Sequence, residues 1–499
     1  MRVLYLDIDT LRPDHMGCYG YPRNTTPNID EICGDGIRFE QFYCADAPCL
    51  PSRAGLISGM FGIRNGAVGH GGTAADRRLT GRNRGFADIS DRDNFVNIFR
   101  KAGMKTVSIS TFAERHSSYW YNAGFNETYN VGQCGMESGE KVLPVALDWI
   151  DRNAKNDDWF LHVHLWDPHT PYRAPESFGN PFGDEPLDNW ITQEVFDGHL
   201  KHVGPHSINE INMYDDNENP GYPRHPGSAK DLAGLKKLFD GYDTGILYTD
   251  YLIGQIINRF KDMDIYDDMS IIISSDHGEN MGELGIYAEH ATADYPTCRI
   301  PLIIKWSGNE ARKGETNDGL YCNIDLAPTL AELMNIKPGR YWDGVSFADS
   351  IVNINNAKST GEKNCRENLV LSQMAHVCQR SARFGDWLYI RTYHDGFHLF
   401  DDEMLFNIKD DPYEQSDLKN KFPDICAKGA KIILDWHDDM MKKNIATSMS
   451  SSTADPMWTV LQEGGPEHTK GALDGYIKRL RETGRSEGAD RLEKKYKKI

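Results

Sequence analysis

The sequence predicts an α/β protein: a large, mixed, mostly parallel sheet sandwiched by helices, followed by a smaller α+β unit with a short antiparallel sheet. Three observations carry this. Short apolar segments alternate with amphipathic ones from the N-terminus to about residue 345, the order that lays helices on both faces of a parallel sheet. Acidic residues stand at two strand exits, Asp9 and Asp276-His277, and open α/β sheets build their sites at the carboxyl ends of strands. A chain of 499 residues, 39% hydrophobic and 26% charged, is long enough for one large domain and a second, smaller one.

Taken in order, the pattern predicts strands over 3–8, 106–110, 159–165, 269–274 and 301–304. It predicts helices over 26–33, 52–57, 95–102, 142–152, 241–262 and 327–334. Residues 174–235 are rich in Pro, Gly, Asn, Asp and His with little periodicity. A segment that long reads as a functional excursion over the surface rather than a connector. The polar stretch 353–368 marks a boundary, separating a catalytic domain at 1–352 from a C-terminal subdomain at 366–499. In that subdomain, 386–391 and 397–400 flank Asp395-Gly396, a hairpin signal. The last ~20 residues are basic and read as peripheral.

Composition excludes several function classes. A net charge of −19 argues against nucleic-acid and anionic-membrane partners, which need a positive field. An anionic substrate would need a local cluster of cation, Arg and His. No apolar run approaches ~18 residues, so no membrane span is expected. Met1 leads directly into an apolar strand without signal-peptide architecture. The ten cysteines (18, 33, 44, 49, 134, 298, 322, 365, 378, 426) show no CxxC and no pairing pattern. That usage suits free thiols in a reducing compartment, and a cytoplasmic location is expected.

A solitary cysteine is usually a small buried hydrophobe, and that reading serves for Cys18, Cys33 and Cys44. Cys49 differs because Pro51, Ser52, Arg53, Leu56 and Gly59 follow it. A helix beginning near Pro51 would aim its amides and positive dipole end at residue 49. Arg53 would add a permanent planar cation to hydrogen-bond the nucleophile. The window C-x-P-S-R-x-x-L-x-x-G resembles the signature of the type I sulfatases of the alkaline phosphatase superfamily. In that family the cysteine is oxidised after translation to formylglycine, by a formylglycine-generating or anaerobic sulfatase-maturing enzyme. The resemblance implies an alkaline-phosphatase-like fold.

Three further segments are similar to the same family. Asp9-Thr10-Leu11-Arg12-Pro13-Asp14-His15 through Gly17-Cys18-Tyr19-Gly20 resembles its opening strand and metal loop, with Asp9 as a metal ligand. Thr10 replaces the second Asp of that loop, leaving Thr10, Asp7 or water for that position. Ser275-Asp276-His277-Gly278-Glu279 resembles the other metal pair. With Cys49 as formylglycine, the implied ligands are Asp9, Cys49, Asp276 and His277. Calcium is the first choice by resemblance; a His ligand keeps Mg²⁺, Mn²⁺ and Zn²⁺ open, because calcium prefers oxygen. Asp167-Pro168-His169-Thr170-Pro171-Tyr172 resembles the element whose His protonates the departing alcohol. An ordinary imidazole pKa suits His169 to that task.

The chain also departs from the family. Where relatives have a sulfate-contacting Lys nine residues before Arg299, His290 stands beside Glu289, carrying less charge at neutral pH. Where the family often has Lys-Trp-His, this chain has Thr111-Phe112-Ala113 and then Glu114-Arg115-His116. His116, with Arg115, is expected to assume that role. Residues 405–408 with 411–414 are similar to the family's small antiparallel sheet. The resemblance covers 3–65, 95–172, 240–340 and 382–420.

By resemblance the chain is a sulfatase acting on a sugar sulfate, expected to work exo on glycosaminoglycan-type mono- or oligosaccharides. Trp166, Asp167 and the histidines of the insertion (His199, His202, His206, His225) are candidates for binding the sugar. His70, in Gly69-His70-Gly71-Gly72, is a further candidate against a plain tight turn. Two alternatives stay open: a phosphonate monoester or phosphodiester hydrolase of the same superfamily, and a non-catalytic binding protein retaining the fold.

Overall fold

The structure is a computed structural model that describes residues 1–77, 93–308, 311–352, 365–447 and 454–496. Fifteen strands are defined among these residues: β1 (Arg2–Ile8), β2 (Ile37–Tyr43), β3 (Asp46–Ala47), β4 (Lys105–Ile109), β5 (Glu127–Tyr129), β6 (Trp159–Leu165), β7 (Ser270–Ser274), β8 (Asn280–Met281), β9 (Tyr287–Glu289), β10 (Leu302–Lys305), β11 (Glu315–Cys322), β12 (Asn368–Gln373), β13 (Cys378–Phe384), β14 (Trp387–His394) and β15 (Glu403–Asn407). Eight form one sheet in the order β11-β2-β10-β7-β1-β6-β4-β5. Every pairing in it is parallel except those of β10, which runs against β2 and β7. The fold is the predicted α/β class.

The central strands β1, β6 and β7 are buried along nearly their whole length, as parallel strands covered on both faces must be. Alternation then sorts their side chains. Leu4, Leu6, Ile8 and Leu161 face a core that includes the 31-residue helix Leu232–Asp262. Val3, Tyr5 and Phe160 face the other core, built with the helix Cys49–Ser58. Asp7 and His164 are register partners at the exits of β1 and β6. Polar groups therefore collect at the carboxyl edge, beneath the helix that begins with Cys49.

In the large sheet the expected strands are present with ends shifted by a few residues, but β2, β5 and β11 were not anticipated, and the helix expected from 241 begins at Leu232. β2 alternates apolar with polar residues, and β11 is largely exposed and polar, so neither shows an apolar run. The segment 174–235 is more than a surface excursion. Ile191, Phe196, Ile208, Ile211 and Ala229 are buried in the core beside the long helix, because its scattered apolar residues are anchored one by one rather than in a periodic stripe.

Asp250 on that helix ties it to the helix Pro27–Gly34, accepting from the amides of Asn28 (3.1 Å) and Ile29 (2.8 Å). Burial outweighs these bonds and pushes its carboxyl up to about 6. The folded state thus takes up a proton between about pH 6 and 4 that the unfolded chain does not, so acidification favours folding at this site. Measured by urea denaturation, wild type is expected to gain roughly 1 kcal/mol relative to Asp250→Asn between pH 7 and pH 5.

The second sheet has the order β15-β14-β13-β12-β3. Its pairings are antiparallel except that β3, just before Cys49, lies parallel to β12. Asp395-Gly396 opens a longer connection, 395–402, between the antiparallel strands β14 and β15 rather than a two-residue turn. A tight turn instead joins β13 to β14 at Gly385, whose φ of +53° suits glycine. No strand forms over 397–400, where Phe397 is buried against Ala489 and Leu492. The basic C-terminal segment is correspondingly packed rather than peripheral. Its helix Ser486–Tyr496 buries an apolar stripe, and Lys495 reaches Asp395 at 2.8 Å. Residues 353–364 of the expected boundary lie outside the described residues. All ten cysteines are unpaired, and no helix among the described residues is long and apolar enough to cross a membrane.

Candidate active site

The helix Cys49–Ser58 begins at Cys49 itself, slightly earlier than Pro51 suggested, and every residue in it is buried. Gly59 ends it with φ +65°, and a Cβ there would stand 2.7 Å from the Trp342 ring, so the glycine of the motif is required twice over. Ser52 anchors the helix to the exit of β7 by donating to the Asp276 carbonyl at 2.6 Å. Each small residue of the motif thus has a positioning task.

Arg53, 1% exposed, reaches into the carboxylates rather than onto Cys49. It contacts Asp7 (3.1 Å), Asp9 (3.1 Å) and Asp276, and stands 2.7 Å from His164 Nε2. His162 and His164 Nε2 lie 3.2 Å from Asp7 and Asp9 respectively. Burial alone would raise Asp9, but Arg53, His169 and His164 hold it well below the usual carboxylate range. At Asp276 burial prevails and pushes the group up to about 6.

Asp9 Oδ1 and His277 Nε2 are buried with no hydrogen-bond partner. Asp9, Asp276 and His277 each offer a ligand atom within 4.8 Å of the others. Two carboxylates and an imidazole with free lone pairs converging on one point fit a divalent cation. Thr10 presents its backbone here: its amide donates to Asp276 Oδ1 at 3.3 Å while Oγ1 finds no partner. Asp7 is held by Arg53 and His162, to the side of that cluster.

Cys49 Sγ lies 3.5 Å from both His70 Nε2 and His116 Nε2. Burial acts to raise this thiol, but the neighbouring histidines bring it well below its ordinary value. His116 is therefore in the site, and so is His70, which had a tight turn as its simpler explanation. Arg115 lies over the Trp166 ring at 5.2 Å, with Arg53 on the same ring at 5.8 Å. Thr111 is structural, bonded to Glu137 and to the Gly135 amide.

Two expectations about charge are corrected. His290 is not a weakly charged substitute for Lys. Although burial opposes it, Glu289 at 2.9 Å, the Cys49 thiol and Glu279 at 3.4 Å raise it well above the ordinary imidazole value. His169 is not poised near neutrality, because full burial brings it down to about 4. Its Nε2 is unpartnered and 4.0 Å from Asp9. Asp167, expected to contact substrate, instead accepts from the Gly139 amide at 2.8 Å, at the start of the helix Gly139–Asn153. It is fully buried.

The insertion sends two histidines toward the site. His225 Nε2 is 3.5 Å from Thr170 Oγ1, and His206 Nε2 is 3.2 Å from Glu289. His199 bonds Tyr287, and the His202 ring lies 6.0 Å from that of His398, tilted against it. Sequence reasoning missed His162, His164, His376 and His468. The first two had a signal, a His-x-His in a buried strand, since period 2 puts both on one face. His376 and His468 stack at 4.0 Å from segments 92 residues apart, and nothing local marks them.

Comparison with known proteins matches residues 2–336 to the Sulfatase family. The uncharacterized sulfatase YidJ of Escherichia coli (strain K12) is 23% identical over 467 residues, covering 87% of this chain and 86% of that one. The structure of BT4656 in complex with its substrate D-glucosamine-2-N,6-O-disulfate superposes with a TM-score of 0.68 at 19% identity. It covers 89% of this chain and 98% of that one. The phosphonate monoester hydrolase of Agrobacterium radiobacter gives 0.66 at 16% identity, covering 88% and 95%. With the family match spanning most of the large domain, and its cysteine motif seated over the carboxylates, this chain belongs to the sulfatase family of sulfuric ester hydrolases, in the alkaline phosphatase superfamily.

Proposed function

We propose that this sulfatase removes sulfate from a sugar of glycosaminoglycan type, acting exo on mono- or oligosaccharides through a formylglycine made from Cys49. The observation that carries this is the placement of residue 49 at a helix N-terminus, facing His70, His116, His277 and His290 across a carboxylate floor. The substrate named for BT4656 supports the sugar class.

In this reading the formylglycine hydrate supplies an attacking oxygen and a second hydroxyl that releases sulfate. A divalent cation, calcium by family resemblance, held by Asp9, Asp276 and His277, supplies positive charge for the sulfate oxygens. The chain's own residues do the rest. Arg53 neutralises the carboxylates and keeps them in place. His290, with its ring nitrogens 2.9 Å from Glu289 and 3.4 Å from Glu279, places positive charge beside the sulfate oxygens. His116 or His70 Nε2 accepts the proton of the attacking hydroxyl. His169 Nε2 is recharged when an anionic ester enters the buried site and then protonates the leaving sugar oxygen.

The likeness to a phosphonate monoester hydrolase favours a second reading, since a phosphorus ester carries similar charge and geometry. Matured enzyme is assayed on an aryl sulfate, an aryl phosphodiester and glucosamine 6-sulfate. Preference for either sulfate by at least tenfold in kcat/KM is the expected result. Preference for the phosphodiester overturns the sulfatase reading, and aryl sulfate turnover without any on sulfated sugars overturns the sugar assignment.

A further inference from the structure

Beside the site lies a second convergence of ligand atoms that shares no residue with the Asp9–Asp276–His277 cluster. Glu289, at the end of β9, is buried. Its Oε1 is engaged by His290, through the backbone amide at 3.1 Å and ring Nε2 at 2.9 Å. Its Oε2 faces His206 Nε2 at 3.2 Å, and His376 Nε2 lies 3.7 Å from Oε1.

The protonation of His206 is dictated by its other side. Its Nδ1 is 2.9 Å from the Ile211 carbonyl, which only accepts, so Nδ1 carries the hydrogen. In the neutral ring Nε2 then bears a lone pair. That atom is buried, has no hydrogen-bond partner, and points at a carboxylate oxygen. Two lone pairs facing each other in a buried site repel, and a cation between them turns repulsion into coordination. The arrangement is held firmly. The His206 backbone bonds Met213 and Tyr287, at 2.9 and 2.8 Å, and the His376 amide bonds Gln373 Oε1 at 3.1 Å. A ring nitrogen fixed by a carbonyl bond at the opposite nitrogen is how proteins orient a metal-binding histidine.

We propose that His206 Nε2, the Glu289 carboxylate and His376 Nε2 form an accessory site for a divalent transition metal of the zinc class. The three ligand atoms lie within 4.8 Å of one another, and two imidazoles with one carboxylate is a zinc set that leaves a fourth position open. Burial pushes both His206 and His376 below the ordinary imidazole value, the direction that keeps them neutral ligands. His290 separates this site from the first: its ring is 4.1 Å from that of His277 and 5.9 Å from that of His376.

The test uses the full chain, stripped of metal and reloaded with calcium, then crystallised and soaked in zinc chloride. Anomalous data across the zinc edge are expected to show a peak within about 2.0–2.2 Å of all three residues. Calorimetric titration is expected to show one zinc equivalent lost in His206→Ala and in His376→Gln, with circular dichroism showing both variants folded and zinc raising the melting temperature of wild type more than that of either variant. No anomalous peak among the three overturns the proposal, leaving a histidinium–glutamate ion pair. So does zinc binding of equal stoichiometry and affinity in wild type and both variants.

Discussion

Replacing Cys49 by alanine is expected to abolish turnover of sulfate esters, lowering kcat by roughly 10⁴–10⁶-fold, with urea stability close to wild type. The change removes the reacting atom at the helix N-terminus and leaves Arg53, the carboxylates and the histidines as they are. Unmatured protein is expected to be equally poor. Its thiol is drawn well below the ordinary value by His70 and His116 against the effect of burial, so it is a capable nucleophile. A thiolate that has accepted sulfate, however, holds no second hydroxyl with which to expel it. Activity is therefore expected to follow the fraction of residue 49 found as aldehyde by peptide mass analysis. Residual kcat in the alanine variant within tenfold of wild type would remove residue 49 from the chemistry.

The second large effect concerns Arg53, and it is thermodynamic as well as catalytic. Asp7, Asp9 and Asp276 are each at most 4% exposed and converge on this one guanidinium. Arg53→Ala leaves three buried carboxylates without their common partner. Breaking a buried pair from one side costs about 3–5 kcal/mol, and that loss is expected in urea denaturation with EDTA present. Lysine would keep the charge but not the fork that bonds Asp7, Asp276 and His164 together. Because Asp9, Asp276 and His277 fit a divalent ion, added calcium is expected to restore part of the stability. An alanine variant as stable as wild type in EDTA would show that the carboxylates do not depend on Arg53.

Much of this was legible in the chain. Alternation of short apolar strands with amphipathic helices marked a parallel sheet, and burial of β1, β6 and β7 on both faces is its physical cause. Asp9 and Asp276-His277 stood out because acidic residues directly after buried strands have few structural reasons to be there. The Cys49 motif was readable because its residues lie within one short window that resembles the sulfatase signature, and Pro51 and Gly59 mark the two ends of its helix. Strands without an apolar run escaped. So did the packing of 174–235, whose anchors lack any period.

Residue type and spacing established the fold class, the helix under Cys49 and the acidic strand exits, because those depend on contacts a few residues apart. Partnership was decided by the tertiary structure. It turned Asp167 away to a helix start, set Arg53 among carboxylates, and brought Glu279 against His290. It also drew His376 and His468 in from beyond the large sheet, by pairing β12 with the two-residue strand before Cys49. Such pairings follow from sheet order and register between segments hundreds of residues apart, and period or motif carries no record of them. The nature of the chemistry at residue 49 is written locally; the charges and protons that would drive it are set by what the fold brings alongside.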